Sequence, residues 1–368
     1  MLVSFRVMLK TTGAKCNLDC QYCFYLDKDS LYPSGTFKIS DKVLKEYTKQ
    51  YLKSQPLCEV SFDWQGGEPT LLGIDFYKKA ICYQQQYAKP YQECVNSFQT
   101  NGILLDDEWC KFFKDNNFLV GLSLDGPQEL HDKYRLDGGK KPTHKKVEAA
   151  LRLLQKHEVD YNILCCVSQA NADQPLEVYN YFKEVGVEKI QLLPVVNKSQ
   201  ISGEVTEESV TGAQYGNFLI SIFDEWYEKD RGSIFIFLFE HFVARLIGRH
   251  PGLCVFGPTC GLELALEHTG DLYACDHYVS PQYLLGNILD NDISELVFTK
   301  QQYDFAKAKA ALPTKCLECN IAFMCNGGCP KNRIPLHNNE ENKVNYLCEG
   351  YLAFFNHSME PLRKLFDM

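Results

Sequence analysis

The sequence predicts an α/β fold, an open and partial barrel of six β/α units followed by a small cysteine-rich domain with a β-hairpin and helices. Three observations predict it. Strand-like runs alternate with helical patterns over the first half of the chain, short polar motifs fall where those strands end, and eight cysteines crowd the C-terminal third.

The strand-like runs are Val3 to Leu9, Cys58 to Gln65, Val95 to Asn101, Leu119 to Gly126, Val159 to Val167 and Lys189 to Val196. Between them lie helical patterns. One opens at Ser40, a favourable N-cap, and puts Val43, Leu44, Tyr47, Tyr51 and Leu52 on one face. Another opens at Thr143 and runs through Val147, Ala150, Leu151 and Leu154. Strands that alternate with helices pair in parallel, and six units make a partial barrel. The polar stretch from Asn197 to Gly216 reads as a loop after the barrel. The expected division is a barrel over 1–230, a cysteine-rich domain over 231–350 and a C-terminal helix over 351–368. In barrels of this kind the chemistry gathers at the ends of the strands.

Composition narrows the class. The chain has 368 residues, a net charge of −9 and 17 cysteines, an odd number for a disulfide framework. The start MLVSFRVMLK is interrupted by Arg6 and reads as a strand rather than a secretion signal. Reduced thiols and a cytoplasmic location are therefore expected, with clustered cysteines serving metal or catalysis. No apolar run is long enough to span a bilayer. The negative charge argues against a nucleic-acid surface.

The string KCNLDCQYCFY places Cys16, Cys20 and Cys23 at C-x3-C-x2-C spacing directly after the first strand. Three thiolates hold three irons of a cubane [4Fe–4S] cluster and leave the fourth open. An open iron is what radical chemistry on S-adenosylmethionine (SAM) requires. QGGEP (Gln65 to Pro69), QTNG (Gln99 to Gly102) and SLDG (Ser123 to Gly126) end the next three strands. Gly66 and Gly67 allow close backbone approach, and their amides are expected to hold the amino-acid end of SAM.

In the C-terminal third, Cys254, Cys260 and Cys275 stand at C-x5-C-x14-C spacing. Cys316, Cys319, Cys325 and Cys329 follow at C-x2-C-x5-C-x3-C spacing, and Cys348 follows after eighteen intervening residues. Eight thiolates make two complete four-cysteine sites. Two zinc sites satisfy the same arithmetic, and the spacing does not assign the pairing. LELALEHTGDLYAC reads as a β-hairpin turning at Thr-Gly-Asp. The remaining cysteines, Cys58, Cys82, Cys94, Cys110, Cys165 and Cys166, lack ligand spacing and read mostly as small buried hydrophobes.

The cysteine triplet, GGEP and the barrel pattern resemble the radical SAM enzymes. That resemblance implies a SAM pocket lined by Tyr22, Gly67, Ser123, Arg135 and Val196, with Gly66 and Glu68 on the same cofactor-binding motif. Ser123 and Arg135 would reach the ribose or the carboxylate. The C-terminal cysteines resemble a SPASM extension, which implies two auxiliary [4Fe–4S] clusters. Cys254, Cys260, Cys275 and Cys329 would hold one, and Cys316, Cys319, Cys325 and Cys348 the other.

Across CNLDCQYCFYLDK, WQGGEPTLLG, FLVGLSLDGPQELHDKYR, GDLYACDHYVSPQY and CNGGCPKNR the chain is similar to the anaerobic sulfatase-maturating enzymes. The implied reaction oxidises a cysteine or serine of a sulfatase to Cα-formylglycine, after a 5′-deoxyadenosyl radical removes a Cβ hydrogen. Asp276 would be the base that takes the thiol or hydroxyl proton. On a strand it would face away from its neighbour Cys275. Tyr25 and Gln65 would position the peptide. A flavodoxin or ferredoxin is the implied electron donor. A SPASM enzyme that crosslinks a ribosomal peptide through thioether or carbon–carbon bonds is the competing reading. An added peptide-recognition domain, frequent in such enzymes, is not expected here, because the barrel pattern starts within the first ten residues.

Overall fold

A computed structural model describes residues 4–33, 35–199, 202–249, 252–335 and 343–365. Its strands are β1 (Arg6–Lys10), β2 (Glu59–Gln65), β3 (Glu93–Thr100), β4 (Phe118–Ser123), β5 (Asp160–Val167), β6 (Lys189–Pro194), β7 (Phe235–Ile236), β8 (Glu263–Glu267), β9 (Asp271–Tyr273) and β10 (Leu284–Asn287). The longer helices of the first half are α1 (Asp41–Ser54), α2 (Ile74–Tyr87) and α3 (Asp107–Asp115). Next come the short α4 (Gln128–His131), then α5 (His144–Lys156), α6 (Pro175–Glu184), α7 (Gly212–Lys229) and α8 (Phe237–Leu246). No helix among the described residues is long and apolar enough to cross a membrane.

The chain forms two compact units. The first comprises Met1–Ser123, Leu136–Tyr161 and Gly261–Ala306; the second comprises Leu124–Arg135, Asn162–Cys260 and Lys307–Met368. In the first, β1 to β4 are parallel neighbours in chain order. In the second, β5, β6 and β7 are parallel. All six expected strands are present. Their ends differ by a few residues: β4 stops at Ser123 because the chain turns at Gly126, which has a φ of +119°. Val3 lies outside the described residues.

Side-chain alternation explains the first unit's sheet. Along β2, Val60, Phe62 and Trp64 are buried, whereas Ser61, Asp63 and Gln65 alternate with them and remain partly open. The buried face receives α1, whose N-terminus is capped by Ser40 accepting from the Val43 amide at 3.2 Å. The five apolar residues expected on its inner face are all buried. Phe98 of β3, Phe118 of β4 and Trp109 and Phe113 of α3 stack into one aromatic cluster, with ring centroids 5.0–6.3 Å apart. Thr143 does begin α5, but its side chain makes no cap bond, since its ψ of −14° is already near-helical.

The expected hairpin is β8–β9, antiparallel, with Gly270 in its turn at a φ of +94°. Sequence patterning placed it in the second domain, yet β8 pairs in parallel with β1 along its whole length. A strand edge offered from more than 250 residues away leaves no trace in local periodicity. The six extra cysteines need correction too. Cys110 and Cys165 are buried, Cys94 and Cys166 half-buried, and Cys58 and Cys82 exposed. Cys58 precedes β2, and Cys82 follows buried Ala80 by two positions, which turns it to the outer face of α2.

In the second unit the expected loop ends early. Thr211 and Gln214 form a capping box, so Gly212 to Gly216 open α7 instead. The last helix, Cys348–Leu365, packs against α7 at a glycine crossing. A Cβ on Gly350 would lie 2.1 Å from the Gly212 carbonyl oxygen and 2.8 Å from the Gly216 nitrogen. Gly350→Ala should therefore destabilise the unit by about 1–3 kcal/mol, the usual cost of overpacking a tight contact. A melting temperature equal to the parent's would show that the helices separate freely there.

Candidate active site

The loop after β1 carries Cys16, Cys20 and Cys23, and the loop after β2 locks onto it. The Gly67 amide donates to the Gly13 carbonyl at 2.7 Å, and the Glu68 amide to the Lys15 carbonyl at 2.9 Å. A Cβ on Gly67 would stand 1.9 Å from the Lys15 oxygen. This corrects the expectation that both glycine amides face the cofactor. That of Gly67 is spent on the cysteine loop, and the glycine is required because two backbones touch.

Glu68 is likewise turned inward. Its carboxylate is buried and accepts from the Thr70 amide (3.0 Å), the Thr70 hydroxyl (2.6 Å), the Thr100 hydroxyl (2.7 Å) and the Asn101 amide (2.8 Å). Burial pushes its carboxyl above the usual range, against those four donors. It thus ties QGGEP to QTNG rather than reaching a ligand with these oxygens. Asn101, so held, points its side-chain amide at Cys16 Sγ (3.7 Å), which also accepts from the Leu18 amide at 3.3 Å. Burial pushes the Cys16 thiol up to about 11. A bound metal would deprotonate it outright. Sulfur atoms with amide donors around them are the donor set an iron–sulfur cluster takes. Tyr22 is buried between Cys20 and Cys23, and Ser123 at the end of β4 accepts from Gln99 Nε2 at 3.0 Å.

Arg135 and Val196 belong to the second unit, and both are buried. The Arg135 guanidinium forks onto Asp125, Nε to Oδ2 at 2.8 Å and Nη2 to Oδ1 at 3.2 Å. That pair anchors the side chain expected to reach SAM.

The residues expected to handle the substrate come together through a lysine that sequence reasoning missed. Lys10 ends β1 and is 3% exposed. It stands in register between Gln65 of β2 and Glu267 of β8, so the three side chains leave the same face of the sheet at its C-terminal end. Lys10 Nζ lies 3.3 Å from Gln65 Oε1, 3.8 Å from Asp276 Oδ2 and 4.5 Å from the centre of the Tyr25 ring. The Tyr25 hydroxyl donates to the Glu267 carboxylate. Burial, then that carboxylate, holds the Tyr25 hydroxyl far above its ordinary pKa. One signal was present in the sequence: a lysine closing the apolar run RVMLK just before the cysteine loop.

Asp276 itself does not lie on a strand. It opens a single 3-10 turn, Asp276–Tyr278, after β9, and its Oδ1 is 3.6 Å from Cys275 Sγ. Strand alternation therefore does not separate the two side chains; the turn places both together.

In the second unit, Cys316, Cys319, Cys325 and Cys348 lie close enough for each thiolate to disfavour another, and burial pushes Cys325 up to about 12. Cys260 and Cys329 are neighbours in the same sense, beside Lys309. Cys275 is in the first unit. Among the described residues no three His, Cys, Asp or Glu side chains converge as around one ion.

Comparison with known proteins supplies the rest. Residues 11–182 match the radical SAM superfamily model, and residues 256–320 match an iron-sulfur cluster-binding domain, SPASM. The serine-type anaerobic sulfatase-maturating enzyme of Bacteroides thetaiotaomicron is 42% identical over 95% of this chain and 88% of its own. The cysteine-type enzyme of Clostridium novyi is 33% identical over 98% and 96%. The solved structure of native anSMEcpe with bound AdoMet and Cp18Cys peptide superposes with a TM-score of 0.90 at 33% identity, covering 98% of this chain and 99% of that one. Iron–sulfur and SAM chemistry replaces the zinc alternative, and the chain belongs to the anaerobic sulfatase-maturating enzymes, radical SAM proteins with a SPASM domain.

Proposed function

We propose that this chain oxidises a cysteine or serine side chain of a sulfatase polypeptide to Cα-formylglycine. The observation that carries the reading is the buried group around Lys10, which holds Asp276, Gln65 and Tyr25 together at the ends of β1 and β2. When bound, SAM and three [4Fe–4S] clusters supply the radical that takes the Cβ hydrogen and the sink for the remaining electron. Cys16, Cys20 and Cys23 hold the first cluster. The other eight cysteines hold two more in the sets given above.

The residues supply aim and proton transfer. Asp276 takes the proton from the substrate thiol or hydroxyl. Lys10 faces it with a positive charge and fixes its position, and Gln65 and Tyr25 brace Lys10 from two sides. Two hydrogens leave the side chain in all, one as an atom and one as a proton. A serine then becomes an aldehyde directly, and a cysteine becomes a thioaldehyde that water hydrolyses with release of sulfide. A reduced flavodoxin or ferredoxin delivers the initiating electron. Seventeen cysteines, none in a disulfide among the described residues, support work in a reducing compartment, the cytoplasm.

The test is mass spectrometry of a sulfatase-type peptide carrying C-x-P-S-R, and of its serine counterpart, after anaerobic incubation with reconstituted enzyme, SAM and reductant. An aldehyde at the target residue is expected in at least one of them. SAM cleavage that leaves both peptides unmodified would sink this reading and favour a crosslinking activity on another peptide.

A further inference from the structure

Lys309 is one of two buried lysines among the described residues, at 1% exposure. It follows the helix Lys300–Ala308 and donates to the Cys254 carbonyl at 2.6 Å and the Val255 carbonyl at 2.9 Å. Both acceptors are neutral. Among the described residues no carboxylate pairs with it. A buried ammonium is costly unless negative charge answers it. The groups that can answer it are the sulfurs of Cys254, Cys260 and Cys329. Those sulfurs lie near enough for their charge to favour the ammonium. Arg333 is the other cation facing Cys260. Its guanidinium is spread over the carbonyls of Gly327, Ala311 and Asn326 and is partly open to solvent, where water and salt weaken its effect.

We propose that Lys309 is a positioning and potential-setting residue for the auxiliary cluster whose assigned ligands include Cys254, Cys260 and Cys329, anchoring the Cys254 loop and making that cluster easier to reduce. The proposal rests on the ligand assignment given under the proposed function. A four-thiolate cluster gains a further negative charge on reduction. A fixed cation beside it in a low-dielectric interior stabilises the reduced form more than the oxidised one. The oxidation must dispose of one electron after the Cβ hydrogen has gone. An auxiliary cluster with a raised potential is a suitable acceptor for it.

The measurement is an EPR-monitored redox titration of the reconstituted full chain, with iron and sulfide content, for the parent and for Lys309→Met, Lys309→Gln and Lys309→Arg. It is run without peptide. Signals that change on adding SAM identify the radical cluster and set it aside. In the Met and Gln variants one auxiliary cluster should reduce at lower potential. The expected shift is at least tenfold in the reduction equilibrium, about 59 mV for a one-electron couple. The Arg variant should stay with the parent. Equal potentials in Met, Gln and Arg at full iron content would overturn the proposal. So would loss of the cluster in both neutral variants, which would make the lysine structural alone. Because no substrate is present, failure of the sulfatase reading would leave these potentials unaffected.

Discussion

Gly67→Ala should remove most of the radical activity, and the loss should begin at the cluster. The added methyl group would sit 1.9 Å from the Lys15 carbonyl oxygen, 2.3 Å from its carbon and 2.8 Å from the Ala14 carbon. All three atoms are backbone, so no side chain can swing aside. Lys15 is bonded to Cys16, and the Gly67 amide that holds the loop to the Gly13 carbonyl would have to move as well. Overpacking of this kind costs about 1–3 kcal/mol or more. The loss reaches function too, because a displacement near 1 Å of a reacting constellation costs about a hundredfold in rate. Iron per chain and 5′-deoxyadenosine release should both fall. Gly138→Ala is the control, since its Cβ would meet nothing within 4 Å. Full iron and parental SAM cleavage in Gly67→Ala would mean that the two loops can part without consequence.

Asp276→Asn should separate radical formation from product formation. The amide keeps the shape of the carboxylate but cannot take the substrate proton, and a general base is worth about 10²–10⁴-fold. Aldehyde yield should drop by that order while SAM cleavage continues, so 5′-deoxyadenosine formed per aldehyde should rise. The variant also leaves the Lys10 ammonium facing a neutral group. Stability should fall, by less than the roughly 3–5 kcal/mol of a fully buried pair, because the Asp276 side chain is 14% exposed. Aldehyde at the parental rate would move the base elsewhere in the group around Lys10.

Much of this could be read along the chain because the signals are local. The three cysteines proposed for the first cluster fall within eight residues, and three thiolates leave one iron of a cubane open. Strand alternation and N-caps act over a few residues too, so β2, α1 and the β8–β9 hairpin were legible. The errors are equally instructive. Asp276 reads as part of a strand because it follows the alternating DLYAC, but the ladder ends at Tyr273 and a tight turn takes over. The segment TGAQYG, with its two glycines, reads as a loop because it ends a polar stretch. In the fold those glycines let one helix approach another.

What the sequence determined by itself is therefore the cofactor chemistry and the alternating architecture, both written in spacings shorter than a single β/α unit. Tertiary structure alone decided how the site is assembled. It set Lys10 between Gln65 and Glu267, brought Asp276 within 3.8 Å of Lys10, turned Glu68 inward and spent the Gly67 amide on the cysteine loop. These facts depend on sheet register and on contacts between segments far apart in the chain, where a shift of one residue would send a side chain to the opposite face.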